Sequence, residues 1–222
     1  MGKTAENKSF ALRTVTSNLA ELESSPTPST HRESLARTHA LGIYHIIALF
    51  DGDVESRAAA EKTLPTLERA CEDLLPYITY DDFSPETSPI SLPLNPLAET
   101  ETYWRNWILQ ESTRRTWLFT NQLRFIYSFL SNRRLAPPRM ACKSWSLCGR
   151  LWRARNAVDF ADAWGAGRRL VATMGRLGEV FEAARAEDLD EFGRMLLVCY
   201  MGEQEARGWM AVRGGDPSWA SL

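Results

Sequence analysis

The stretch Thr102-Tyr103-Trp104-Arg105-Asn106-Trp107-Ile108-Leu109-Gln110-Glu111-Ser112-Thr113-Arg114-Arg115-Thr116 decides how this 222-residue chain reads. At about 100° per residue, a helix through it sets Trp104, Trp107, Ile108, Glu111, Arg115, Leu118, Phe119, Gln122, Phe125, Ile126 and Phe129 on one stripe. Most of these side chains are large and apolar, so the stripe is expected to face a core or a cavity. Glu111, Arg115 and Gln122 are polar, and burying them without partners would cost a few kcal/mol each. Glu111 and Arg115 stand one turn apart and can pair. The pair reads either as structural, or as an Arg115 oriented by Glu111 to clamp a carboxylate or polarise a carbonyl.

Working outward, residues 9–22 carry apolar side chains at helical spacing, and Ser24–Thr30 reads as a linker. A helix is expected from Arg32 to Phe50, stopped by Asp51-Gly52-Asp53 because glycine tolerates a left-handed turn. Another is expected over about 54–77, with Pro65 able to kink or split it. Pro85, Pro89, Pro93 and Pro96 exclude a helix or central strand there. Long ordered connections of this kind often form rims of sites. The central helix spans about 98–131, and Leu135-Ala136-Pro137-Pro138 breaks the chain. A short segment follows over Trp145–Arg153, then helices over 155–185 and 188–212. No strand-like alternation stands out. The expectation is an all-α fold with three parts: an N-terminal helix and linker (1–34), a helical domain (35–213) and a tail (214–222).

Composition narrows the function classes. Cys71, Cys142, Cys148 and Cys199 form no Cys-x-x-Cys pair, which argues against a zinc module and for a reducing compartment. No apolar run approaches 18 residues and no secretion signal opens the chain, so no membrane association is expected. Between Glu111 and Asp159 there are ten Arg or Lys and no Asp or Glu. That run can hold phosphates or a carboxylate ligand, or be a solvated face. No nucleophile elbow, phosphate loop or dinucleotide fingerprint is present. No cofactor and no metal are therefore expected.

Trp-x-x-Trp-Ile-x-x-Glu-Ser-x-Arg-Arg-Thr resembles the central helix of the helical effector domain of fungal binuclear zinc-cluster transcription regulators. The resemblance continues upstream through Ala40–Asp53, Arg57 and Ala60-Glu61. Downstream it takes in Leu151–Ala154, Ala157–Phe160 and Glu191–Leu197, so that it covers roughly residues 36 to 213. The family's DNA reader needs six cysteines at close spacing, and this sequence has none of that pattern. It opens with Met1 and keeps the C-terminal match, which is expected of a stand-alone chain lacking direct, specific DNA binding. Where the family commonly shows glutamine on either side of Tyr44, this chain has His39 and His45. Either histidine could donate a hydrogen bond or shuttle a proton near neutral pH, or be a satisfied core residue.

Two functions fit this reading. The first is a stand-alone protein of fungal secondary metabolism that binds a bulky apolar terpenoid or polyketide intermediate. It would act as a cofactor-free cyclase, pericyclase or isomerase, with the rate supplied by substrate folding and one fixed donor. Catalytic roles would fall to His45, Glu111 and Arg115. Substrate contacts would come from His39, Tyr44, Trp104, Trp107, Phe119, Gln122, Trp145, Trp152 and Asp159. The cavity is expected between the central helix and residues 36–50, with Trp104, Glu111, Arg115, His45 and Trp152 on its wall. The alternative is a transcriptional regulator or co-regulator without its own DNA-binding domain. Localisation follows the function, cytoplasmic for the enzyme and nuclear for the regulator. A homodimer is possible on either reading.

Overall fold

A computed structural model describes residues 5–84, 87–132, 143–167 and 169–216. Cys142, Trp219, Pro85, Leu135–Pro138 and the end of the tail lie outside the described residues. The chain is all-α: the only strands among the described residues are two of three residues each. It divides into two units. The first holds residues 1–78 and 113–138, and the second holds residues 79–112 and 139–222.

In the first unit α1 (Ala5–Ser24), α2 (His31–Ile46) and α3 (Val54–Glu72) surround a core that also takes residues 113–130 of the long helix α4 (Leu97–Leu130). Val15 and Leu19 of α1, Leu41 of α2, Leu67 and Ala70 of α3, and Leu123 and Tyr127 of α4 pack together there. The N-terminal helix therefore shares a core with α2 and α3. Each fully buried leucine contributes about 1.5–3 kcal/mol. Thr30 begins α2 with a capping box: its hydroxyl accepts from Glu33 N–H, and the Glu33 carboxylate accepts from Thr30 N–H. Such a cap contributes about 1 kcal/mol. The N–H groups and hydroxyls of Ser29 and Thr30 hold the Glu33 carboxyl below its usual pKa.

Three expectations shift here. The last turn of the Arg32–Phe50 helix widens into a π turn, Ile47–Asp51. Gly52, which follows it, has φ −74° and ψ 154°, an extended conformation open to any residue. Its role is close approach: a Cβ built there would stand 2.0 Å from the Ala48 carbonyl oxygen. Pro65 lies inside α3 without dividing it, and the helix ends at Glu72, short of 77.

In the second unit, residues 97–112 of α4 are joined by β1 (Ser144–Ser146), α5 (Gly149–Trp152), α6 (Ala157–Gly165), β2 (Val171–Thr173), α7 (Leu177–Ala183), α8 (Glu191–Met201) and α9 (Glu203–Val212). β1 and β2 are antiparallel, with Trp145 opposite Ala172. The helix expected over 155–185 is interrupted between α6 and α7. Gly167 takes φ 76°, and the chain then returns through β2. The helix expected over 188–212 breaks at Gly202, whose φ of 87° an L side chain rarely adopts. Strands of three residues are too short to show alternation, which hid this small sheet from the sequence.

The α4 stripe holds through its first half. Trp107, Glu111, Arg115 and Leu118 are all at most 6% exposed. Beyond Leu118 the buried face turns to Asn121, Leu123, Tyr127 and Ser128, leaving Phe125 44% and Phe129 80% exposed. One stripe over the whole helix presupposes one set of neighbours. The two halves of α4 belong to different units and meet different ones.

Candidate functional site

The expected site residues divide between the units. His39, Tyr44, His45, Arg115, Phe119 and Gln122 belong to the first; Trp104, Trp107, Glu111, Trp145, Trp152 and Asp159 belong to the second.

In the first unit, the three histidines each meet a threonine. His31 Nε2 lies 2.7 Å from Thr113 Oγ1, with its ring stacked on Tyr77 at 4.6 Å. His39 Nε2 lies 2.5 Å from Thr116 Oγ1. His45 is fully buried; its Nδ1 donates to the Leu41 carbonyl at 2.7 Å, and Nε2 lies 3.0 Å from Thr63 Oγ1. Since a carbonyl can only accept, Nδ1 carries the proton and Nε2 is free to accept the Thr63 hydroxyl. Burial lowers the pKa of all three rings. Both nitrogens of His45 are thus spent inside the unit. Tyr44 accepts a hydrogen bond from Asn18 Nδ2 at 3.0 Å. Arg115 is buried, and Phe119 and Gln122 are partly so.

In the second unit, Trp107, Phe160 and Trp164 form an aromatic cluster with centroids 5.3–5.6 Å apart, joined by Tyr103, Trp104 and Trp152. Glu111 is fully buried and accepts from the Ser146 N–H at 2.9 Å, which ties α4 to β1. The Trp104 and Trp145 indole N–H groups find no hydrogen-bond partner among the described residues. Asp159 is exposed in the first turn of α6. Its N–H donates to the Asn156 side chain at 2.8 Å, and its carboxylate accepts from Asn156 Nδ2 at 3.0 Å. That is a helix cap.

The second unit also carries an open groove of about 1120 Å³. The proline-rich segment supplies one wall with Ser91, Leu92 and Leu94. α5, α6 and the turn between them supply the other, with Arg150, Arg153, Arg155, Val158 and Asp159. The segment is pinned by Trp164, whose indole N–H donates to the Pro89 carbonyl at 2.8 Å. Arg169 pins it too, donating to Ser88 Oγ and to Pro89 O while its guanidinium lies 4.0 Å from the centre of the Trp164 ring. The sequence showed these groove arginines only as members of a basic run. Nothing in their spacing marked them as neighbours of Leu92 and Leu94.

Among the described residues, no three His, Cys, Asp or Glu side chains converge to hold a metal ion, and no helix is long and apolar enough to cross a membrane. The chain is similar to transcription factor gsfR2 of Penicillium aethiopicum, with 28% identity over 210 residues. That match takes in 94% of this chain and 50% of the relative, so the chain spans about half the length of the protein it matches. Neither a family profile nor a solved structure matches it.

Proposed function

We propose that this chain is the helical, non-DNA-reading part of a fungal transcription regulator of secondary metabolism, acting in the nucleus through bound partners. The observation that carries this reading is the match to a fungal transcription factor across 94% of the chain, which takes in both units. The cyclase, pericyclase or isomerase reading draws no support from the surroundings of its expected catalytic groups. His45 is enclosed, with both ring nitrogens spent on protein partners, and the Glu111 carboxylate accepts a backbone N–H in the core. A general base must come within hydrogen-bond reach of its substrate, and a bulky substrate would have to displace Thr63 to reach Nε2.

The test is a reporter assay. The full chain, fused to an unrelated DNA-binding domain, should change transcription of a reporter carrying that domain's site, and a fluorescent fusion should enter the nucleus of the fungal host. A chain that stays outside the nucleus and leaves the reporter unchanged would refute the regulator reading. Turnover of a terpenoid or polyketide intermediate by purified protein would restore the enzyme.

A further inference from the structure

In the first unit, the π turn after α2, the first turns of α3 and the end of α4 meet at one place. The π turn Ile47–Asp51 buries Leu49 and leaves the Phe50 ring 44% exposed. One turn into α3 stands Arg57, and one further turn on stands Glu61. From α4, Tyr127 reaches across: its hydroxyl donates to Glu61 Oε1 at 2.5 Å, and its ring meets Phe50 edge-on at 6.0 Å. Together with Leu130 these side chains surround a cavity of about 380 Å³.

The chemistry of this cavity is specific. Leu49, Phe50, Tyr127 and Leu130 give it an apolar and aromatic side, Arg57, Glu61 and Ser131 a polar one, and the Tyr127 ring is fixed by the hydroxyl bond to Glu61. Phe50 lies on the π turn and is exposed. Such turns frequently occur at functional sites. Arg57, exposed at the mouth, makes no side-chain ion pair or hydrogen bond among the described residues. A guanidinium beside aromatic walls matches a planar carboxylate on a ring, and the volume lies in the range of small-ligand pockets. Glu61 sits deeper than Arg57 and disfavours a second negative charge on the far side of the ligand.

We infer that Phe50, Arg57 and Tyr127 form a binding site for a small aromatic monocarboxylate, its ring packed in the cavity against the Phe50–Tyr127 pair and its carboxylate on Arg57. The site lies within the first unit and stands whether or not the chain regulates transcription. The probe is 1-naphthoate, titrated into the full chain by calorimetry, beside neutral 1-naphthamide and naphthalene-1,4-dicarboxylate. The expected result is saturable naphthoate binding, about tenfold tighter than the amide, as one charge-assisted pair provides. The dicarboxylate should bind more weakly than the monocarboxylate. Arg57→Met should bring naphthoate down to the level of the amide, and Phe50→Ala should weaken both.

Equal affinity of the unmodified chain for naphthoate and naphthamide, or no saturable binding of either, would overturn the assignment, and so would a folded Arg57→Met that keeps the preference. If Arg57→Met proved unstable, the ratio measured on the unmodified chain would still decide.

Discussion

His45 and Thr63 share one proton-flexible contact. With the ring neutral, the Thr63 hydroxyl donates to Nε2 at 3.0 Å; with the ring protonated, Nε2–H can donate to the same oxygen while the hydroxyl turns to the Ala60 carbonyl, also 3.0 Å away. Either state is satisfied, yet burial outweighs these bonds and lowers the His45 pKa. The folded state therefore binds fewer protons than the unfolded chain just below the ordinary histidine pKa. Stability is fully present above about pH 6.5 and is lost as pH falls from there toward the depressed folded pKa. The slope from one such group is at most about 1.4 kcal/mol per pH unit. Thermal melting between pH 7.5 and 5.5 should show a falling midpoint, and His45→Gln should make the fall shallower, leaving the shares of His31 and His39. A midpoint independent of pH in the unmodified chain would contradict the assignment.

Gly52 should tolerate no side chain. A Cβ would lie 2.0 Å from Ala48 O and 2.9 Å from its carbonyl carbon, both backbone atoms that cannot swing aside. Gly52→Ala is expected to cost about 1–3 kcal/mol, in the range of other local strain and overpacking, and to lower the urea midpoint accordingly. Gly42, with nothing within 4 Å of a built Cβ, serves as the control. There Gly→Ala should be neutral or stabilising, by up to about 1 kcal/mol within a helix.

Arg169 is the fastening of the proline-rich wall. Arg169→Ala removes the contact with Trp164 and the donors to Ser88 and Pro89. The expected loss is about 1–2 kcal/mol for the cation–π contact and its hydrogen bonds. Limited proteolysis should show faster cleavage between residues 87 and 96, with little change in helix content by circular dichroism. Unchanged cleavage would mean that Trp164 holds the segment alone.

The cysteines should differ in reactivity. Burial pushes the Cys71 thiol up to about 12 and raises Cys148 as well, and both side chains are at most 5% exposed. Cys199 is exposed. Native protein treated with iodoacetamide at pH 8 should be alkylated at Cys199 well before Cys71 or Cys148, as mass spectrometry of the peptides can read. Early modification of Cys71 would contradict its enclosure between Asn121 and the Trp117 carbonyl.

Much of the fold can be read from the chain. The α4 boundaries lie within a residue of the 98–131 expected from periodicity, and the Pro89–Pro96 run does form a wall without regular structure. The candidate site was less legible. A repeat of 3.6 residues says which side chains share a face, but not what lies opposite, so Phe125 and Phe129 read as core although they are exposed. His45 looked reactive because its partner, Thr63, is 18 residues away and carries no signal of its own. Arg57 and Tyr127 are 70 positions apart, and only the packing of α3 and α4 within the first unit brings them to one cavity.

All three histidines of the chain, His31, His39 and His45, fall in the first unit, and the second has none. Acid therefore acts on one half of the molecule through groups the other half lacks. On mild acidification, amide hydrogen exchange should quicken first along α2 and the helices packed around it, while the Trp107–Phe160–Trp164 cluster keeps its protection. The order in which this protein comes apart is written in where its imidazoles sit.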